Sequence, residues 1–293
     1  MFARTLMLAV LLSGLCWIQG VWAQDSPVGP AVVATIKPLQ LIAEAILIGE
    51  GAVSALIEDS DPPHHSNLSP DDRLRIEQAD VLLWIDPKFE VYLAALFADI
   101  AASGSSFVVT ASAISGLTLH RYPDGERDPH LWLSQGNAEL IARALTEQLA
   151  AIFSDKAPHV RAGLDQFRSG IAKQAQVLQR RFSNQHTADY LVYHDAYRFF
   201  EHDYGLSHSA SLVADPDTQL GMREVFKLQE TISASNPVCI LLQPDASPAL
   251  VNTMVQNDAV KRITIDLLGS SLQSSVNVYR QLIDHAATGF YPA

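Results

Sequence analysis

The sequence predicts an α/β protein made of two lobes that are joined by one long helix. Short apolar runs of the strand type alternate with helical patterns in the first half of the 293-residue chain, and the alternation resumes in its last third. Such alternation is typical of parallel β-α-β units. Between the two regions, residues 137–181 are rich in helix formers and carry no strand pattern. Two similar lobes leave a cleft between them, which is a usual place for a ligand.

Residues 1–23 are predicted to be a secretory signal peptide. Arg4 is the only early charge, an apolar run follows it, and Ala23 ends a small-residue cleavage pattern. Lipoprotein processing at Cys16 is the alternative, which the bulky Leu15 before it disfavours. The run is too short for a membrane span and no later stretch is long and apolar enough, so we expect no stable membrane insertion.

The first lobe is assigned to residues 24–154. Its strands are short runs of apolar and β-branched residues, and Pro70 opens one of its helices. The expected elements are, in order, strand 32–36, helix 39–48, strand 53–57, helix 70–78, strand 81–85, helix 89–100 and strand 107–109.

A long linking helix is assigned to residues 155–184, after a first helix that begins beyond Gln135. At 1.5 Å per residue, a helix of about 25 residues spans about 37 Å. Two packed surface helices would leave the same pattern as a helix that joins two lobes. The apolar residues with heptad-like spacing are Val160, Leu164, Phe167, Ile171 and Leu178.

The second lobe is assigned to residues 185–293 and repeats the alternation of the first. The expected elements are strand 190–193, helix 196–204, strand 209–213, helix 219–232, strand 238–242, helix 248–255, strand 263–265 and helix 274–287. Removal of the signal peptide leaves Cys239 alone, in a buried-strand pattern, so we expect no internal disulfide.

The charge of the chain disfavours one class of partner. The formal net charge is −12 at pH 7. An acidic surface repels the phosphate backbone, so we expect no nucleic-acid binding. The same surface attracts cations.

Three histidines stand in turn-like phrases at the ends of apolar runs. His64 follows Pro63, His130 follows Pro129, and His194 directly follows the expected strand 190–193. A residue that precedes proline is pushed out of the helical region, which places the first two histidines in loops. Three neutral imidazoles that converge from distant points of a chain are a usual way to hold Zn²⁺.

Asp266 is the fourth candidate ligand. It directly follows strand 263–265 in the second lobe, where its carboxylate could complete a tetrahedral site with His64, His130 and His194. It could equally cap the N-terminus of a helix. His65, adjacent to His64, is an alternative first ligand.

These phrases resemble the ligand loops of the cluster A-I (cluster 9) periplasmic metal-binding proteins of ABC transporters. The resemblance extends over essentially the whole mature chain, and the phrases follow the family's order. The matching phrases are VATIKP at 33–38, PH at 63–64, DPHLWL at 128–133, HDAY at 194–197 and DLLG at 266–269.

The resemblance implies two Rossmann-like lobes bridged by a rigid helix, with the metal in the interlobe cleft. It implies a monomeric periplasmic solute-binding protein that captures Zn²⁺ and delivers it to a membrane ABC permease. Manganese members typically carry glutamate where this chain has His194, so the chain resembles the zinc branch. A third imidazole also favours Zn²⁺ over Mn²⁺. The histidine-rich loop of many zinc-branch members is reduced here to 120–128.

Two other functions remain as alternatives. One is a binding protein for another divalent metal such as manganese, and the other is a periplasmic zinc hydrolase with a three-histidine site. Neither a His-Glu-x-x-His nor a Gly-x-Ser-x-Gly motif occurs in the chain. A fourth ligand at Asp266 would leave no position for a reactive water, so we expect a protein that is not an enzyme.

Overall fold

The computed structural model describes residues 29–57, 68–122, 124–183, 189–213 and 221–290. The expected signal peptide, His64 and the adjacent His65 lie outside the described residues. Among the helices of the described ranges, none is long and apolar enough to cross a membrane.

The first lobe is built on a parallel four-stranded sheet with strand order β2-β1-β3-β4. Its central strands, β1 and β3, consist almost entirely of buried apolar residues, as expected for a parallel sheet that is covered on both faces. The elements are β1 (Ala31–Ala34), α1 (Lys37–Leu47), β2 (Ala52–Ala55), α2 (Pro70–Gln78), β3 (Val81–Trp84), α3 (Val91–Ser103) and β4 (Phe107–Thr110).

The second lobe repeats this topology with strand order β6-β5-β7-β8, again all parallel. In both sheets the first strand in chain order lies beside the third, so the strand order reverses there. Ligands of such sheets bind outside the carboxyl ends of the strands at this reversal. The elements are β5 (Tyr190–His194), α6 (Arg198–Tyr204), β6 (Ala210–Val213), α7 (Met222–Ser235), β7 (Cys239–Leu242), α8 (Pro248–Met254), β8 (Lys261–Thr264) and α9 (Val278–Thr288).

Two helices lie between the sheets and connect the lobes. α4 runs over Gln135–Ile152 and α5 over Ala157–Ser183, a length of 27 residues. α5 packs on α1 and α4 of the first lobe and on α6 and α9 of the second. One continuous cluster of buried apolar side chains extends from β1 and β3 through α5 to β5 and α9. The expected long helix that joins two lobes is therefore confirmed.

A buried polar chain reinforces the joint between the lobes. Gln174 of α5 accepts a hydrogen bond from Gln135 Nε2 at 2.8 Å and donates to the backbone carbonyl of Arg280 at 2.7 Å. Tyr204 of α6 donates its hydroxyl to Gln135. These buried hydrogen bonds connect α4 and α5 to α6 and α9 of the second lobe.

Several element boundaries differ from the sequence-based expectation by one to four residues, and the starts of two elements show why. β8 begins at Lys261, before the expected strand 263–265, because it is an edge strand whose first residues are exposed and charged. α9 begins at Val278 rather than at 274, and Asn277 precedes it as a cap with non-helical backbone. In both cases the element starts at polar residues on an exposed edge strand or helix cap. Such residues show no apolar periodicity, so the sequence pattern does not locate the start of the element.

Gly163 lies where α5 crosses α1, and a side chain is excluded there. A Cβ at this position would lie 2.0 Å from the backbone carbonyl oxygen of Ile46. Gly163→Ala is therefore expected to lower the free energy of unfolding by about 2 kcal/mol, the usual scale of overpacking. Denaturant unfolding of the metal-free protein measures this.

Gly170 on the same helix provides the matched control. A Cβ there would lie 3.1 Å from Nε of Arg280, a flexible side chain that can move away. Gly170→Ala should be neutral or stabilising, because alanine favours a helix over glycine by about 1 kcal/mol. Equal losses in both variants would mean that the close helix crossing is not the cause.

Candidate metal centre

His130 is held in a fixed orientation at the end of a loop of the first lobe. The residue is 5 % exposed, and it precedes a short 3₁₀ turn, Leu131–Leu133. Asp128 Oδ1 lies 2.8 Å from Nδ1 of His130 and accepts the backbone N–H of His130 at 2.9 Å. A carboxylate at Nδ1 favours the tautomer with the proton on that nitrogen, which leaves the lone pair of Nε2 for a metal.

His194 is the last residue of β5, at the carboxyl end of the second sheet. It is 4 % exposed. Nε2 of Gln243, which directly follows β7, lies 3.3 Å from Nδ1 of His194. After a half-turn of the carboxamide, its oxygen can accept a proton from Nδ1, and His194 would then also present the lone pair of Nε2.

The structure brings these two histidines together across the lobe boundary. Their ring centroids lie 4.9 Å apart in an edge-to-face arrangement with an interplanar angle of 75°. Within the described residues, no three His, Cys, Asp or Glu side chains are grouped so that they could hold a metal ion. Asp266 is also described, and it does not form such a group with His130 and His194. The two imidazoles are therefore the part of the expected site that the described residues bring together, and His64 lies outside those residues.

Asp266 lies in the turn that follows β8 and caps that turn. Its Oδ1 accepts the backbone N–H groups of Leu268 at 3.0 Å and Gly269 at 2.9 Å. The intervening Leu267 accepts a hydrogen bond from the indole N–H of Trp132 at 3.1 Å. This bond ties the Asp266 turn to the segment that carries His130.

Tyr122 connects the loop of His130 to the strand end of His194. Its hydroxyl donates to the backbone carbonyl of Asp195 at 3.2 Å and lies 3.4 Å from Nδ1 of His130. The guanidinium of Arg198 lies 5.5 Å from the centre of the Tyr122 ring. Burial, together with the charges of Asp128 and Asp195, raises the pKa of Tyr122 well above its ordinary value, so the hydroxyl remains a proton donor at neutral pH.

His208, which also lines the cavity between the lobes, pairs with a buried carboxylate. Its Nδ1 lies 2.8 Å from Oε1 of Glu201, which also accepts the hydroxyl of Tyr190 at 2.5 Å. Burial acts against a proton on the ring, but the hydrogen bond and the charge of Glu201 outweigh it, and the pKa of His208 is raised. When it carries a proton, the imidazole neutralises the carboxylate of Glu201.

A cavity of about 910 Å³ opens between the lobes beside the two histidines. His194 lines it together with five acidic and three basic side chains. This excess of negative charge favours a cation over an anion. The acidic residues are Asp86, Asp124, Glu126, Asp128 and Asp195, and the basic residues are Lys88, Arg127 and Arg198.

Sequence reasoning misses the residues that orient the two imidazoles. Asp128 could have been recognised in this role, because it stands two residues before His130 in an Asp-x-His phrase. Gln243 directly follows a central strand, and strand order would have placed it beside His194. No signal in the sequence identifies Tyr122, whose partner Asp195 is 73 residues away.

Comparison with known proteins identifies one family. The family model described as "Zinc-uptake complex component A periplasmic", ZnuA, matches residues 32–293. The chain is 26 % identical over 281 residues to the high-affinity zinc uptake system protein ZnuA of Yersinia pestis, covering 86 % of this chain and 88 % of that protein. It is 24 % identical over 283 residues to the Haemophilus ducreyi protein of the same name, covering 88 % and 91 %.

Solved structures share the fold. A crystal structure of ZnuA superposes with a TM-score of 0.75 at 20 % identity, covering 89 % of this chain and 98 % of that one. A Zn(II)-bound mutant variant of AdcAII from Streptococcus pneumoniae superposes with a TM-score of 0.77 at 18 % identity, covering 91 % and 100 %. The expected two-lobe α/β architecture is therefore confirmed.

Proposed function

Because the chain belongs to the ZnuA family of periplasmic zinc-uptake components, we propose that it captures Zn²⁺ in its interlobe cleft and delivers the ion to a membrane ABC permease. It is a solute-binding protein of the zinc type, as the relatives named zinc uptake proteins indicate. The proposed ligands are His64, His130 and His194, with Asp266 as the fourth. The metal is cargo in this function.

One observation carries the proposal for this chain's own residues. Two buried imidazoles from different lobes approach each other with ring centroids 4.9 Å apart, and a polar side chain holds Nδ1 of each. Metal-binding histidines are characteristically oriented in this way by a partner on the second ring nitrogen. Solvated surface histidines would show neither the burial nor the partners.

Direct metal binding tests the proposal. Metal-free mature protein should bind one equivalent of Zn²⁺ tightly in a competition titration against a chromophoric chelator, and it should bind Mn²⁺ far more weakly. Binding of Mn²⁺ in preference to Zn²⁺ would mean that the protein is a manganese-binding protein. The absence of tight binding of either metal would contradict the proposal. The zinc-loaded protein should elute as a monomer and should not hydrolyse an activated ester, since the fourth ligand fills the position that a reactive water needs.

Asp266 is proposed to retain the metal rather than to create the site. Its carboxylate would neutralise part of the ion's charge, so Asp266→Asn should raise the Zn²⁺ dissociation rate several-fold while the site stays occupied. Asparagine keeps the oxygen that caps the turn at Leu268 and Gly269.

Asp266→Ala separates the two roles of this side chain. It removes both the charge and the cap, and should additionally lower the thermal midpoint of the metal-free protein. If Asp266→Asn releases Zn²⁺ at the wild-type rate and only the alanine variant is impaired, then Asp266 is a turn cap and not a ligand.

A further inference from the structure

Tyr122 bridges the two lobes at the metal centre through a single hydroxyl group. This hydroxyl donates to the backbone carbonyl of Asp195, the residue after His194, at 3.2 Å. It also lies 3.4 Å from Nδ1 of His130 and 3.4 Å from Oδ1 of Asp128. The hydroxyl oxygen of Tyr122 therefore lies close to His130 in the first lobe and to the residue that follows His194 in the second lobe.

The hydroxyl has only one proton to donate, and two oxygen atoms compete for it. Asp128 belongs to the same loop as Tyr122 and remains within reach however the lobes are placed. The carbonyl of Asp195 belongs to the second lobe, at the end of β5. The bond to Asp195 can therefore form only when the lobes stand close, whereas Asp128 can satisfy the hydroxyl when they separate.

Arg198 strengthens the same contact from the second lobe. Its guanidinium lies 5.5 Å from the centre of the Tyr122 ring, and its Nε donates to Oδ2 of Asp195 at 3.2 Å. A guanidinium over an aromatic face is attracted by the electrons of the ring. The ring and the hydroxyl of Tyr122 thus both bind to the second lobe.

On the basis of the proposed function, we propose that Tyr122 is a positioning residue that latches the lobes around bound Zn²⁺ and slows its release. The imidazoles of His130 and His194 belong to different lobes, so lobe movement changes the distance between them. A hydrogen bond present only in the close arrangement raises the population of that arrangement. Its effect falls on the dissociation rate, while the association rate is nearly unchanged.

Removal of the hydroxyl alone tests the latch. Tyr122→Phe should raise the Zn²⁺ dissociation rate about fivefold, the size expected for the loss of one hydrogen bond. The association rate and the thermal midpoint of the metal-free protein should remain at their wild-type values. Stopped-flow mixing of the zinc-loaded protein with excess chelator measures the dissociation rate.

Tyr193→Phe is the matched control. Tyr193 is adjacent to His194 in sequence. Its hydroxyl accepts the backbone N–H of Ser247 at 3.1 Å, and this hydrogen bond lies entirely within the second lobe. This variant should release Zn²⁺ at the wild-type rate. An unchanged rate in Tyr122→Phe, or an equal increase in both variants, would overturn the latch. Failure of the proposed function has a different signature, because the unsubstituted protein would then bind no Zn²⁺.

Discussion

Alanine in place of His194 is expected to weaken Zn²⁺ binding by more than about hundredfold, which corresponds to about 2.7 kcal/mol. Loss of a residue that only orients a metal ligand costs 10- to 100-fold, and loss of the ligand itself should cost more. His130→Ala should have a comparable effect, because the two imidazoles meet from opposite lobes with ring centroids 4.9 Å apart. Competition titration with a chelator of known affinity measures both.

His202 provides the control for this pair of substitutions. It is a histidine of α6 whose side chain is 57 % exposed, and it lies outside the proposed ligand set. His202→Ala should bind Zn²⁺ with wild-type affinity. If both His130→Ala and His194→Ala bound Zn²⁺ with wild-type affinity, the metal site would lie elsewhere, because the loss of a ligand nitrogen must weaken binding.

The fold follows from the sequence because its signal is local. Every strand that the described residues form corresponds to an expected apolar run, and the repeated strand–helix alternation permits only parallel pairing with helical crossovers. The ends of α9 and β8 were misplaced because Asn277, Lys261 and Arg262 are polar residues on an exposed cap and an edge strand. Periodicity locates elements well and locates their ends poorly.

The candidate site is predictable only to the extent that its residues stand at strand ends and turns. His130 and His194 satisfy that condition, and the structure places their rings in contact. The groups that orient them depend on how the lobes dock. Gln243 reaches His194 over 49 residues and Tyr122 reaches Asp195 over 73. Such pairs follow from tertiary packing, which the local pattern does not encode.

Glu90 is a further residue that the pattern misjudges. It falls at the start of the expected helix 89–100, where a carboxylate is ordinarily solvated. The structure instead buries it completely, as the cap of α3. Its Oε2 accepts the backbone N–H groups of Ile85 and Asp86, both at 2.9 Å, and its Oε1 accepts the hydroxyl of Thr35. This carboxyl joins the ends of β1 and β3 to α3, beneath the cleft.

Burial raises the pKa of Glu90 from 4.5 to about 7, although the hydrogen bonds from Thr35, Asp86 and Ile85 act in the opposite direction. The nearby charge of Asp86 adds to the increase. An acid whose pKa is higher in the folded state favours folding most when it is protonated. Its contribution is complete below pH 4.5 and is lost as the pH rises through about 7. A difference of 2.5 pKa units corresponds to about 3 kcal/mol lost by pH 8.

Glu90→Gln should therefore remove this loss, because a carboxamide has the same shape and does not ionise. Its oxygen can still accept the N–H groups of Ile85 and Asp86, and its nitrogen can donate to Thr35 Oγ1.

The free energy of unfolding of Glu90→Gln minus that of the wild type should increase by about 3 kcal/mol between pH 4.5 and 8. Urea unfolding of both metal-free proteins at several pH values in this range measures the difference, in which the other titrating groups cancel. Glu147→Gln makes the same substitution at an exposed position of α4 and controls for the chemical change itself. Parallel pH profiles for Glu90→Gln and the wild type would mean that the carboxyl of Glu90 is already ionised in the folded protein, with Thr35 and the two backbone N–H groups compensating for its burial.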